Sequence, residues 1–228
     1  MSSTLIVEKV QIEISRPKQA LTGSKKIVIR ADFQVAPGDR LAIQAPSGFG
    51  KSTLFRAIAG FIPVQSGRIL LEPGWDLLPI HQRKVGFLFQ DAALFPHLNV
   101  RENLEYALRL QGVGAEERRA RAEAALARIG LKNQAEQSTD SLSGGERQRI
   151  ALSRTWLIHP KLVLLDEPFS ALDAGLQREM QDWVVELHRE NPVPLLWITH
   201  DSSGLERVAT RKMEGRQVEG DVRIFAAS

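Results

Sequence analysis

The sequence predicts an α/β fold with a parallel sheet, an antiparallel β portion at the N-terminus and an inserted α-helical segment. Three observations carry this. Non-alternating apolar runs, such as Leu41-Ala42-Ile43 and Leu162-Val163-Leu164-Leu165, read as strands buried on both faces, the condition of a parallel sheet. The opening third instead alternates apolar with polar residues, the pattern of half-buried antiparallel strands. Between about residues 100 and 158 the apolar spacing is helical, with charges of both signs on the remaining positions.

Residues 5–14 alternate from Val7 onward and form the first expected strand. A turn-rich interval, Arg16-Pro17 to Thr22-Gly23-Ser24, leads to a second strand over Ile27–Val35, and Pro37-Gly38-Asp39 turns into the buried strand around Leu41–Ile43. A glycine-bearing stretch, Ala45 to Thr53, then enters the helically spaced Leu54–Ala59. Short strands follow at Arg68–Glu72, opened by Ser66-Gly67, and at Lys84–Phe89. Helices are expected over 101–111 and 115–129, parted by Gly112 and Gly114, and over 144–158. A strand at 161–165 precedes a helix from about Leu176 to Arg189, whose stripe of Leu176, Met180, Trp183, Val184 and Leu187 reads as core packing. Pro194–Thr199 is another buried strand, and the weakly alternating tail beyond Gly215 carries no assignment. Without repeats or linkers, the chain reads as one domain, 1–228. Residues 1–89 and 159–228 form its core and 90–158 its helical subdomain.

At 228 residues the chain can bury a sizeable core, and its apolar and charged fractions are those of an ordinary globular protein. No apolar run approaches the roughly 18 residues that span a bilayer. Met1 to Val10 lack the basic-then-apolar order of a secretory signal, so none is expected. The absence of cysteine excludes disulfides and thiolate metal sites and fits a cytosolic address. The net charge of +3 is small, and the basic balance points only weakly to an anionic partner. The arginine-rich helices alternate in sign as solvated faces do, which is the favoured reading, and no nucleic-acid partner is expected.

In the stretch Ala45-Pro46-Ser47-Gly48-Phe49-Gly50-Lys51-Ser52-Thr53, a strand, a glycine turn and a helix start describe a phosphate-binding loop. Its backbone N–H groups converge on one anion and the helix N-terminus adds its positive end. Lys51 supplies a charge to the β/γ-phosphates and Ser52 a hydroxyl to Mg²⁺. Asp166 and Glu167 stand past the C-terminal end of an apolar strand, the edge where ligand sites of parallel sheets form. A carboxylate there holds Mg²⁺, and its neighbour orients or deprotonates the attacking water. Such a pair can also cap a helix, but its order after a phosphate loop favours the nucleotide reading. Leu142-Ser143-Gly144-Gly145-Glu146-Arg147-Gln148 offers N–H groups and a hydroxyl to an anion at a helix start. Ser143 with Glu146 is equally an ordinary capped helix, and local chemistry does not choose between the two.

Taken in order, these motifs resemble the nucleotide-binding subunit of ABC transporters, from about residue 5 to residue 205. Ser47–Thr53 is similar to Walker A and Gln90 of Phe89-Gln90-Asp91 to the Q-loop. Leu142–Gln148 is similar to the family signature and Leu162–Pro168 to Walker B. Ser170-Ala171-Leu172-Asp173 is similar to the D-loop and His200 to the switch histidine. The resemblance implies a P-loop NTPase core that hydrolyses ATP with Mg²⁺ to power transport through a separate permease. Ser47, Gly48, Phe49, Gly50, Lys51, Ser52 and Thr53 would bind ATP. Ser143, Gly144, Gly145 and Asp173 would close the site of a second subunit in a homodimer. Ser52, Gln90 and Asp166 would hold the metal, while Glu167, His200 and Gln90 would be catalytic. The implied partners are integral membrane permease subunits and a solute-binding protein, and the implied place is the cytoplasmic face of the plasma membrane.

Gln90 to Asn103 resembles importer-type subunits, of which those for molybdate, thiamine, sulfate and polyamines are examples; the extra C-terminal regulatory domain that some of them carry is not expected from this sequence. Ala45 stands where the family places Gly, with a negative φ expected, and Phe49 stands where small residues are usual, expected to face the partner subunit or cover the nucleotide. Residues 10–26 contain no Phe, Tyr or Trp to stack adenine, which leaves a stem such as Arg16 or Leu21, or a reduced affinity. The alternatives are a soluble ABC-type ATPase acting on nucleic acid or the ribosome, and a GTPase or kinase with an unrelated phosphate loop. Against the first stand the single cassette and the short Lys51-to-Ser143 separation. Against the second stand the absent Asn-Lys-x-Asp motif and an unexplained Ser143-Gly144-Gly145.

Overall fold

The computed structural model describes residues 3–15, 26–200, 202–218 and 222–226. Two five-stranded sheets and a group of helices are built from β1 (Leu5–Ser15), β2 (Lys26–Val35), β3 (Arg40–Gln44), α1 (Lys51–Ala59), β4 (Ser66–Leu70), β5 (Val85–Leu88), α2 (Val100–Leu110), α3 (Ala115–Arg128), α4 (Gly144–Leu157), β6 (Leu162–Asp166), α5 (Ala174–Glu190), β7 (Leu195–Ile198), α6 (Ser202–Val208), β8 (Arg211–Glu214), β9 (Arg216–Gln217) and β10 (Val222–Ala226).

One sheet has the order β5-β6-β7-β3-β8, and every pairing in it is parallel. Its central strands β6 and β7 are buried at every residue, which is why their sequences are apolar without alternation. The other sheet has the order β4-β1-β2-β10-β9. Here β1 pairs antiparallel with β2 and β4, while β10 pairs parallel with β2. The first strand is not a clean alternation: its register shifts between Val7 and Val10, and Lys9 sits at φ 47. That bulge absorbs the extra polar residue of Glu8-Lys9 and returns Val10 and Ile12 to the core face.

The inner faces of both sheets and α1 enclose the largest apolar cluster, which includes Val7, Ile12, Ile29, Ile43, Leu54, Phe55 and Leu164. A second cluster joins the parallel sheet to α4 and α5 through Leu152, Trp156, Leu165, Val184 and Trp197. A third ties α2, α3 and α4 together through Leu104, Leu126 and Ile150. Neighbouring α4 residues, Ile150 and Ala151, serve different clusters, so this helix bridges the helical group and the parallel sheet. The tail without a sequence assignment holds β10, and Phe225 in it is fully buried. Among the described residues no helix is long and apolar enough to cross a membrane.

Candidate nucleotide site

The loop between β3 and α1 is shaped by two glycines in the left-handed region, Gly48 at φ 68 and Gly50 at φ 100. Gly50 also needs its bare Cα, because a Cβ there would stand 2.4 Å from Ile29 Cδ1. Ala45 is not among the residues with positive φ, as expected of an L side chain. α1 starts at Lys51 with no side-chain cap and no acidic residue in its first turn, leaving its N–H groups for an anion. Ser47 and Gly48 are exposed, and Ser52 and Thr53 half-buried.

Lys51 is buried, and its Nζ donates to the Ala45 carbonyl at 2.6 Å and the Pro46 carbonyl at 3.1 Å. It also stands 3.2 Å from His200 Nε2. Burial holds its pKa below the ordinary lysine value, against the opposing pull of Glu167 and Asp166. Asp166 ends β6, and its Oδ1 accepts from Ser52 Oγ at 3.1 Å. Burial raises the Asp166 pKa; the Ser52 hydrogen bond opposes this. Glu167 follows at φ 48, its N–H donating to the Ile198 carbonyl at 3.0 Å. Its Oε1 lies 2.9 Å from His200 Nε2. Neither carboxylate caps a helix; Asp173 is the cap of α5, accepting from the Gly175 and Leu176 N–H groups at 3.0 Å each. The parallel order of the sheet thus brings Lys51, Ser52, Asp166, Glu167 and His200 to the C-terminal ends of β3, β6 and β7. A cavity of about 230 Å³ opens beside them, lined by Glu167, Ser170, Gln177, Thr199 and His200 among others.

Gln90 is exposed and reaches this edge indirectly, donating through Nε2 to Ser170 Oγ at 3.5 Å. Its carbonyl accepts from Gln148 of α4 at 3.4 Å. Ser170 Oγ in turn donates to the Glu167 carbonyl at 3.1 Å. Just beyond Gln90, Ala92 and Ala93 adopt φ 60 and φ 42, and Arg154 of α4 donates to both their carbonyls at 3.2 and 2.9 Å. Ser170 and Gln148 lie within the D-loop-like and signature-like stretches but have no role assigned from sequence, and Arg154 carries no sequence signal.

Ser143 caps α4 in a capping box: its Oγ accepts from the Glu146 N–H at 3.3 Å, and Glu146 Oε2 accepts from the Ser143 N–H at 2.8 Å. The hydrogen bonds from Ser143 hold the Glu146 carboxyl below its usual pKa. The bland reading of this motif is therefore physically present. Gly144 is exposed with open space around it, and Gly145 is buried against Leu176. Among the described residues, no hydrogen bond links Ser143, Gly144 or Gly145 to the phosphate loop of the same chain.

One expectation is corrected. Phe49 neither faces outward nor covers the loop: it is 6% exposed and its ring meets Phe225 edge-on at a centroid distance of 5.5 Å. The ring packs into the core against Phe225, the one buried residue of β10. Arg16 and Leu21, named for adenine, lie outside the described residues.

The sequence profile of the ABC transporter family matches residues 28–170. The chain is 41% identical over 189 residues to the sulfate/thiosulfate import ATP-binding protein CysA of Nephroselmis olivacea, covering 82% of this chain and 55% of that protein. It is 41% identical over 202 residues to the protein of the same name from Synechococcus elongatus, covering 88% and 58%. It is 38% identical over 183 residues to the Fe(3+) ions import ATP-binding protein FbpC of Escherichia coli K12, covering 79% and 52%. The chain thus spans a little over half the length of these relatives. The solved dimeric, post-hydrolysis structure of the ATP-binding cassette MJ0796 with ADP and Pi superposes with a TM-score of 0.79 at 26% identity, covering 92% of this chain and 93% of that one. With the phosphate loop, the Asp166-Glu167 strand end and the Ser143 helix start all placed on this architecture, the chain belongs to the ABC transporter family.

Proposed function

We propose that this chain binds ATP on the Lys51 loop and hydrolyses it to drive solute import through a separate membrane permease. The observation that carries this reading is the convergence of Lys51, Ser52, Asp166, Glu167 and His200 at one sheet edge. Ser47 to Thr53 direct backbone N–H groups and the uncapped start of α1 at the phosphates, and Lys51 adds a full charge. Ser52 Oγ and Asp166 Oδ1 are hard oxygen donors 3.1 Å apart, a set that suits Mg²⁺ completed by phosphate and water oxygens, with Gln90 as a further donor. When bound, that ion neutralises charge on the transferred phosphoryl group. Glu167 takes the proton of the attacking water. His200, within hydrogen-bonding distance of both Glu167 and Lys51, fixes the carboxylate and meets the γ-phosphate. Such positioning and charge neutralisation are what phosphoryl transfer requires.

The other half of each site comes from a second copy. Ser143, Gly144 and Gly145, with Asp173 nearby in sequence to the Walker B end, close the partner's nucleotide in a homodimer. The exposure of Ser143 and Gly144 supports this, as does the dimeric state of the ADP-bound cassette that the chain resembles. Residues 90–158 act as the helical unit, with Gln90 linking it to the nucleotide edge through Ser170. The import role in the relatives' names supports membrane permease subunits as partners; a solute-binding protein and a location on the cytoplasmic face of the membrane complete the proposal. The test is co-purification of the full chain in detergent, followed by phosphate release. An ATP-hydrolysing complex with an integral membrane protein is expected; retention on nucleic acid without such a partner would overturn the transport reading.

A further inference from the structure

The two loop residues that depart from the family pattern, Ala45 and Phe49, share one set of neighbours. A Cβ at Gly215, between β8 and β9, would stand 2.7 Å from Phe49 Cε1, 2.8 Å from Phe225 Cε1 and 2.9 Å from Ala45 Cβ. The C-terminal segment therefore approaches the loop as closely as a bare backbone allows, and the Gly215 N–H donates to the Gln44 carbonyl at 2.8 Å. From β10, the guanidinium of Arg223 lies 5.1 Å over the face of Phe49 and donates to the Gly48 carbonyl. Ring, cation and carbonyl form one connected contact between the last strand and the phosphate loop.

We propose that Arg223, seated on Phe49, is a positioning residue for the nucleotide loop, one that sets the plane of the Gly48–Phe49 peptide. Gly48 lies at φ 68, and a peptide that follows a glycine turns at small cost. In a trans peptide the carbonyl and the N–H point in opposite directions. Holding the Gly48 carbonyl toward Arg223 therefore directs the Phe49 N–H away from β10, into the loop's own turn, where it donates to the Pro46 carbonyl at 3.2 Å. That bond closes the turn and fixes the path of the loop, whose N–H groups beyond it recruit phosphate oxygens. A loop whose peptide is already fixed needs less ordering on binding and binds more tightly. The ring supplies the second hold, because a guanidinium within about 6 Å of an aromatic centroid is attracted by its face. Ala45 and Phe49 are then two parts of one adaptation, replacing glycine freedom within the loop by contact with the C-terminal strand. This inference rests on the nucleotide reading of the loop.

The test is an ATP titration of the full chain and of Arg223→Gln and Arg223→Lys, with steady-state kinetics and urea midpoints alongside. A lost hydrogen bond to a charged group predicts about a tenfold weaker ATP affinity for Arg223→Gln. KM for ATP rises with it, while kcat and the urea midpoint stay close to those of the unsubstituted chain. Arg223→Lys, which keeps a charge and a donor, restores part of the affinity. Unchanged affinity in Arg223→Gln overturns the proposal, as does a loss that only follows a fallen urea midpoint. An unsubstituted chain that binds no ATP refutes the nucleotide reading itself, and this proposal with it.

Discussion

Glu167→Gln keeps the length and shape of the side chain and removes its capacity to take a proton. A positioned general base contributes about 10²–10⁴ to rate, so phosphate release is expected to fall by that factor, about 3–5 kcal/mol of barrier. Folding should hardly change. The Glu167–His200 contact at 2.9 Å joins side chains that are 22% and 44% exposed, and partners so open to water are worth about 0–1 kcal/mol. Glu167→Gly separates chemistry from backbone strain. At φ 48 a non-glycine residue carries about 1–2 kcal/mol of left-handed strain, of which glycine's freer unfolded chain takes back about 0.5–1 kcal/mol. Glu167→Gly is therefore expected to be inactive yet as stable as the unsubstituted chain, or more stable by up to about 1 kcal/mol. The assays are phosphate release, ATP titration and urea unfolding on the same preparations. Turnover of Glu167→Gln near that of the unsubstituted chain would remove Glu167 from the role of base. A Glu167→Gly chain destabilised by more than about 2 kcal/mol would refute the strain argument.

Burial raises the Asp166 pKa in the folded chain, so its contribution to stability is full below the ordinary carboxylate value and is lost as pH climbs through the folded value. In nucleotide-free buffer Asp166→Asn should therefore have the higher urea midpoint at pH 7, with the gap closing toward pH 4; a gap that does not change with pH would contradict this. The same variant should lose hydrolysis. Ser143→Arg should cut phosphate release about a hundredfold or more while ATP binding to the isolated chain is kept. The loss of its cap should cost about 1 kcal/mol in helix stability. Equal loss of binding and hydrolysis would place Ser143 in its own chain's site. Gly215→Ala forces a methyl against Phe49, Phe225 and Ala45 and should destabilise by about 1–3 kcal/mol in thermal unfolding, with weaker ATP binding. An unchanged melting temperature would show that these rings yield freely.

The strands and helices were legible because burial writes a period into the sequence. β6 and β7 are buried throughout and read as unbroken apolar runs, whereas β1 and β2 show one wet face. β10 was not legible, because its short, weakly alternating sequence gains its identity from lying parallel to β2, a choice made by tertiary pairing. The phosphate loop and the Asp166-Glu167 strand end could be named since both announce themselves by position after an apolar run. The direction of Phe49 could not be named, since a residue's type does not say which neighbour arrives opposite it. The contacts of Ser170, Gln148 and Arg154 were hidden for the same reason: each depends on the path of a loop and not on a spacing.

The pairing of Val222 with Val28 also bears on how the molecule is made. β2 and its neighbour β10 are separated by most of the chain, between Val35 and Val222. Closing so long a stretch of chain is slow relative to local folding. Through Arg223 and Phe225 the same late strand reaches the loop that follows β3. The Lys51 loop is therefore expected to take its supported shape late in folding, only once β10 has paired with β2.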